Sequence, residues 1–318
     1  MIIDLHCDTL LLLKNNKFYL SNSTGHINLD KLVQSNYMCQ CFAVWTHLKK
    51  MPNHKDHVDK MIDAFYENME KHSNRIKPVK SYQEIINNYK NGYISAMLTI
   101  EDLGVIHSIE ELVELYNRGV RMATITWNFE NDFGYPAWEY IDENTPPLCN
   151  PNKGLTELGI SLIKKMEELG MIIDVSHLND QGIYDILKYT TKPFVASHSN
   201  SRTICNVPRN LPDELLLLMK DRGCVIGMNY CPDFVKENSC DKLLISDLIK
   251  HIDYIKNLIG IDYISLGSDF DGIGGDLEIK DASYMNLLID ELEKHGYTKE
   301  EIDKITHLNA LRLFKEIL

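Results

Sequence analysis

The sequence has no apolar run approaching the roughly 20 residues that a bilayer-spanning helix needs. It has no basic segment at its start. The first residues already include Asp4 and His6, so they read as a strand of mature chain rather than a signal peptide, and a cytoplasmic location is expected. Positive charge is not in excess either: Lys+Arg 33 against Asp+Glu 46 leaves a net charge of −13. Such a surface repels phosphate backbones and anionic lipid, so neither nucleic acid nor a membrane is an expected partner. The eight cysteines contain no C-x-x-C pair, and most stand in apolar runs. They read as reduced core thiols, not as a metal or disulfide framework. No G-x-G-x-x-G follows the first apolar run, which argues against a dinucleotide-binding open sheet. Internal repeats and low-complexity tracts are missing too.

What is present is a regular alternation. Short apolar runs occur at Ile2–Cys7, Met38–Trp45, Ile94–Ile100, Val120–Trp127, Met171–Ser176, Pro193–Ser197, Cys224–Asn229 and Tyr263–Ser268. Each is the length and composition of a strand buried on both faces. Amphipathic stretches lie between them: Ile109–Arg118, Leu155–Leu169, Asp180–Tyr189, Asp213–Arg222 and Leu243–Ile259. Gly119, Gly170 and Gly223 each stand between a helical stretch and the next strand, as a C-terminal cap does. Eight strand-then-helix units in 318 residues predict an α/β fold, a (β/α)8 TIM-type barrel, with residues 1–318 as one domain. Thr298-Lys-Glu-Glu301 reads as a capping box, and Thr306–Leu318 as a final helix. Residues 128–153 break the rhythm with four prolines and several aromatics, and predict a packed, lid-like loop at the barrel mouth.

The strand ends carry the chemistry. His6 and Asp8 are two apart and face one way if the strand continues through them. Glu101 ends the third run, His177 the fifth, His198 the sixth and Asp269 the eighth. Catalytic residues of this fold come from the C-terminal ends of several strands. Polar residues that merely stop strands would be Ser, Asn, Gly and Lys as often as His and Glu. Imidazoles and carboxylates without cysteine suit Zn²⁺ or a similar divalent ion. His6, Asp8, Glu101, His177 and His198 are too many for one tetrahedral site, and fit two ions sharing Glu101. Asp174, inside the fifth run, fits either a support for the site or an inward polar residue. Asp271 and Asp276, among glycines, read as turn formers.

With these motifs the chain resembles the membrane (renal-type) dipeptidases, the zinc dipeptidase branch of the metal-dependent amidohydrolase barrels. The resemblance runs through Asp4-Leu5-His6-Cys7-Asp8-Thr9, Glu101-Asp102, Gly154-Leu155-Thr156, the segment Leu169 to His177, Ser197-His198-Ser199, Arg209-Asn210-Leu211-Pro212, Gly267 to Gly272, and Asn309 to Arg312. It implies a binuclear zinc dipeptidase that cleaves dipeptides, D-residues at the C-terminal position included, through a metal-bridging hydroxide. It implies His6 and Asp8 on one zinc, His177 and His198 on the other, and Glu101 as catalytic bridge. Arg209 would clamp the substrate carboxylate, and Asp269 would contact the amine or move protons. A homodimer is suggested by the resemblance alone. Two departures stand out. Vertebrate members place a substrate-contacting His where this chain has Trp127, which donates an N–H but cannot take up a proton. The lipid-anchor tail is not evident either, so a soluble, bacterial-type member is expected. Two other functions remain compatible with these residues: hydrolysis of another amide or a lactone on the same barrel, and an inactive metal-binding scaffold.

Overall fold

The structure is a computed structural model that describes residues 1–14, 19–139, 152–237 and 241–318. Nine parallel strands are present among them: β1 (Ile2–Asp4), β2 (Tyr37–Trp45), β3 (Ile76–Val79), β4 (Ile94–Glu101), β5 (Met122–Thr124), β6 (Ile172–Asp174), β7 (Val195–Ala196), β8 (Val225–Met228) and β9 (Ile264–Leu266). The ladder runs β2-β1-β9-β8-β7-β6-β5-β4, and β2 also pairs with β4 from Cys39↔Ser95 to Trp45↔Glu101. That pairing closes an eight-stranded barrel, the expected fold class. Helices between successive strands surround it, as parallel crossovers require.

The ninth strand, β3, is absent from the sequence reading. It pairs with the first half of β4, on the edge that β5 occupies further along, and so lies outside the closed ring. Its Lys77 and Pro78 interrupt the apolar pattern that marks the other strands. Most predicted strands also outrun their observed ladders. The expected Ile2–Cys7 ends as a strand at Asp4, although Cys7 still forms an isolated bridge to Phe270.

One buried cluster explains how the barrel is filled. Ile3, Cys39, Met97, Met122, Ile172, Val195 and Val225, one from each of seven ring strands, meet Ala310, Leu313, Phe314 and Ile317. Met122, Ile172, Val195 and Val225 are the first residues of their strands. The helix Asn309–Ile317 therefore plugs the N-terminal end of the barrel and leaves the C-terminal end for chemistry. The predicted final helix is preceded by one π turn, Lys304–Leu308, and Thr298 and Glu301 form the expected capping box. Gly119, Gly170 and Gly223 take positive φ where their helices stop. Gly227 and Gly267 serve a different need: a Cβ on either would lie 2.0 or 1.7 Å from the Ser197 carbonyl oxygen. Only glycine lets β7, β8 and β9 approach this closely.

Of the expected lid, residues 140–151 lie outside the described residues. The described part packs, as its aromatics suggest: Phe129 and Phe133 are buried, and Ala137 donates its N–H to the His177 carbonyl at 2.7 Å. Among the described residues no helix is long and apolar enough to cross a membrane. The six described cysteines are all free thiols; Cys149 and Cys240 lie outside the described residues.

Candidate metal centre

Five of the eight ring strands hand one or more titratable side chains to the same rim. His6 and Asp8 follow β1, Glu101 ends β4, His177 follows β6, His198 follows β7 and Asp269 follows β9. All of them are buried. The two oxygens of Glu101 face different ways. Oε2 lies 3.7 Å from His6 Nε2, which lies 3.5 Å from Asp8 Oδ2. Oε1 lies 2.9 Å from His177 Nε2 and 3.5 Å from His198 Nε2, and these two nitrogens are 3.1 Å apart. The five residues read as ligands thus converge as two donor triangles that share one carboxyl group. A third grouping joins Asp269 to His6 and His198, with Asp269 Oδ1 4.0 Å from His6 Nε2. This puts Asp269 within ligand range, a placement the sequence reading did not anticipate.

The triangles fit a cation. Donors about 2.0–2.1 Å from a tetrahedral ion stand roughly 3.3 Å from one another, close to the spacings above. His6 Nε2 and Asp8 Oδ1 are buried with no hydrogen-bond partner, and burial without a partner is costly unless something else satisfies them. Electrostatics point the same way. Burial opposes charge on His6, yet Glu101, Asp8 and Asp269 together raise its pKa to about 10. Burial, then Asp8, pushes the Glu101 carboxyl well above its usual range. Burial, with Arg209 and His6, holds His177 and His198 far below theirs, as neutral donors. Burial also raises Asp269 to about 6. The cluster concentrates negative potential on a spot where a divalent ion would relieve it.

Local geometry is forced at two of these positions. His177 (φ 69°) and Asp269 (φ 62°) occupy the left-handed region, which a non-glycine residue holds only when its surroundings insist. Asn229, after β8, is one such constraint: it donates to Asp269 Oδ2 at 3.0 Å and to the His198 carbonyl at 3.3 Å. Asp174 proves to be a support. Its Oδ1 accepts the Ser176 and Ser197 N–H groups at 3.0 and 2.9 Å. Asp4 does the same across the barrel for His6 and Ser268. Asn229 was not singled out in the sequence, because an amide at a strand end carries no signal beyond turn chemistry. Asp271 does more than turn: it accepts from the Thr9 hydroxyl at 2.6 Å and from the His26 N–H.

Above the donors opens a cavity of about 390 Å³, lined by Asp8, Glu101, His177 and Asp269 below and by Trp45, Trp127 and Phe234 at the sides. Trp127 packs edge-on against Trp45, ring centres 5.0 Å apart, and lies 6.0 Å from His177. Arg209 is buried behind this wall, with Phe234 5.2 Å from its guanidinium carbon. It donates to the His198 carbonyl at 3.2 Å and to Ser199 Oγ at 3.4 Å, and its Nε has no partner.

Known proteins resemble this chain in sequence and fold. The family model for membrane dipeptidases, peptidase family M19, matches residues 1–318. An uncharacterized dipeptidase of Schizosaccharomyces pombe is 32% identical over 99% of this chain and 80% of its own. A dipeptidase of Aspergillus oryzae is 27% identical over 95% and 74%. Among solved structures, a metallopeptidase of Rhodobacter sphaeroides, liganded with a phosphinate mimic of the dipeptide L-Ala-D-Ala, has the same fold: TM-score 0.90, 22% identity, 100% of this chain and 99% of that one. On a match over its full length, the chain belongs to the membrane dipeptidase family, peptidase family M19, a family of metallo-dipeptidases.

Proposed function

We propose that this chain hydrolyses dipeptides, those with a C-terminal D-residue included, at a pair of zinc ions. The observation that carries the reading is the split carboxyl of Glu101, one oxygen in each donor triangle. His6 and Asp8 would hold one ion, His177 and His198 the other, with Glu101 shared. When bound, such a pair supplies a Lewis acid for the scissile carbonyl and a water acidified toward neutral pH.

The rest falls to the chain's own residues. Arg209 is a buried guanidinium with no carboxylate within ion-pair distance among the described residues, and it orients the substrate's terminal carboxylate by bidentate hydrogen bonds. Asp269, on the cavity floor, carries the proton that the leaving amine needs. Trp127 and Trp45 wall the cavity and keep bulk water from the reacting bond.

Elemental analysis paired with panels of L-Xaa-L-Xaa and L-Xaa-D-Xaa dipeptides tests the reading. Two zinc ions per chain are expected, with turnover lost on chelation and restored by zinc. Arg209→Ala should lower kcat/KM for free dipeptides roughly ten- to hundredfold, the worth of a charge-assisted bidentate contact, and leave C-terminally amidated dipeptides little changed. Equal loss on both substrates would remove Arg209 from carboxylate recognition. Two bound zincs without turnover of any dipeptide would overturn the function.

A further inference from the structure

The two histidines of the Glu101–His177–His198 triangle are backed by unlike partners. His198 Nδ1 lies 2.7 Å from Ser197 Oγ, and that hydroxyl donates its single hydrogen to Asp174 Oδ2. With its proton committed, the Ser197 oxygen can only accept from His198, so His198 carries hydrogen on Nδ1 and leaves Nε2 bare. His177 Nδ1 lies 2.9 Å from Asn128 Oδ1, a side-chain carbonyl that can only accept. His177 is thereby fixed in the same tautomer, but by a neutral amide. Asp4 and Ser268 repeat the aspartate–serine pair on the other side of the barrel, Ser268 Oγ donating to Asp4 Oδ2 at 2.6 Å. There the hydroxyl oxygen accepts the Phe270 N–H at 3.2 Å and lies 3.3 Å from the His6 carbonyl, with no imidazole nitrogen in place of these.

We propose that Ser197 and Asp174, on one side, and Asn128, on the other, are positioning residues that fix the tautomers of His198 and His177 and so set the metal affinity of this half of the site independently of the His6–Asp8 half. The proposal rests on the zinc-pair reading above. A carboxylate relayed through a hydroxyl raises the donor strength of His198 Nε2, whereas the Asn128 amide supplies orientation alone. Partners of this kind are worth roughly ten- to hundredfold in metal affinity.

The test measures zinc affinity by chelator competition on full-length protein. An Asp8→Asn background weakens the other half, so the remaining ion reports on the Glu101–His177–His198 triangle. In that background Ser197→Ala keeps both backbone N–H bonds to Asp174 and deletes the relay together with a 3.3 Å contact to Ser176 Oγ. It should weaken zinc ten- to hundredfold, and Asn128→Ala should weaken it by a similar factor. Ser268→Ala removes an equivalent serine that touches no imidazole, and should leave this ion's affinity unchanged. Long-range ¹⁵N spectra of the zinc-loaded protein should show His177 and His198 protonated at Nδ1. Unchanged affinity in Ser197→Ala, or equal losses in Ser197→Ala and Ser268→Ala, would overturn the proposal. If the unmodified chain binds no zinc pair, the zinc-pair reading fails instead, and the two failures are told apart.

Discussion

Asn229 donates its side-chain N–H to Asp269 Oδ2 at 3.0 Å, while its own Oδ1 accepts the Cys231 N–H. The contact ties the end of β8 to Asp269, just past β9 and beside the donor triangles. Asp269 sits at positive φ and has neighbours of like charge in Asp8 and Glu101, so its carboxyl needs a fixed donor to stay in place. Replacing Asn229 by Ala removes that donor without adding bulk. A hydrogen bond to a charged group is worth about 1.5–3 kcal/mol. At about 1.4 kcal/mol per decade, kcat/KM for a dipeptide should fall roughly ten- to hundredfold. Metal content should be retained, because Asn229 touches none of the five proposed ligand side chains. Steady-state kinetics with elemental analysis decide it. A variant with normal kcat/KM would mean that the backbone alone positions Asp269.

Glu101 and Asp8 differ in how many donor triangles they enter. Asp8 belongs to one, with His6; Glu101 belongs to both. Asp8→Asn should therefore lower bound zinc from two ions per chain to one. Glu101→Gln should weaken both ions together, each by roughly a hundredfold or more, because an amide oxygen is a neutral and poorer donor than a carboxylate. Elemental analysis after gel filtration at matched zinc activity separates the cases. A Glu101→Gln protein that keeps one tight ion would show that the carboxyl serves a single site.

Much of this was legible because barrel strands are short, buried on both faces and followed at once by function. Glu101, His177 and His198 stand out precisely where apolar runs stop, and the pattern of ligand types survives any error in strand length. Strand bounds were less legible. Leu5 and Cys7 are buried and apolar, yet the regular ladder ends at Asp4; beyond it single contacts remain, such as the Leu5 N–H to the Leu266 carbonyl and the Cys7–Phe270 bridge. The ninth strand was hidden by Lys77 and Pro78, which suit an element outside the closed ring. The residues that hold the site were the least visible. Asn128 and Asn229 act through an amide's donor and acceptor, and nothing in a linear sequence separates such an asparagine from one in an ordinary turn. Asp174 reads two ways in the sequence, and the Ser176 and Ser197 N–H groups on its carboxyl decide between them.

His251 supplies a pH dependence away from the donor triangles. It is fully buried on the helix Ile245–Ile259; its Nδ1 accepts the Ser201 N–H at 3.2 Å, and its Nε2 lies 2.8 Å from the Val235 carbonyl. One ring nitrogen must accept and the other donate, so the neutral imidazole satisfies both and a second proton would face an N–H. Burial lowers its pKa to about 4, against the hydrogen bond to Val235; Asp247 favours the charged form and Lys250 opposes it. The sign follows from linkage: a histidine whose folded pKa lies below the unfolded value binds more protons when unfolded. Its contribution is complete above the unfolded value, about 6.5, and is lost as pH falls from there toward 4. By pH 5 that loss amounts to about 2 kcal/mol. Urea unfolding of the metal-free protein at pH 7.5 and pH 5 should therefore show a smaller acid-induced loss in His251→Gln than in the unmodified chain, by about this amount. The segments concerned, Ser199–Leu211 and Pro232–Val235, carry Phe234 in the cavity wall and Arg209 packed behind it, so the same acidification should loosen this side of the cavity before the barrel unfolds. Equal losses in the two proteins would show that His251 is protonated as readily in the fold as outside it, and would place the acid sensitivity elsewhere.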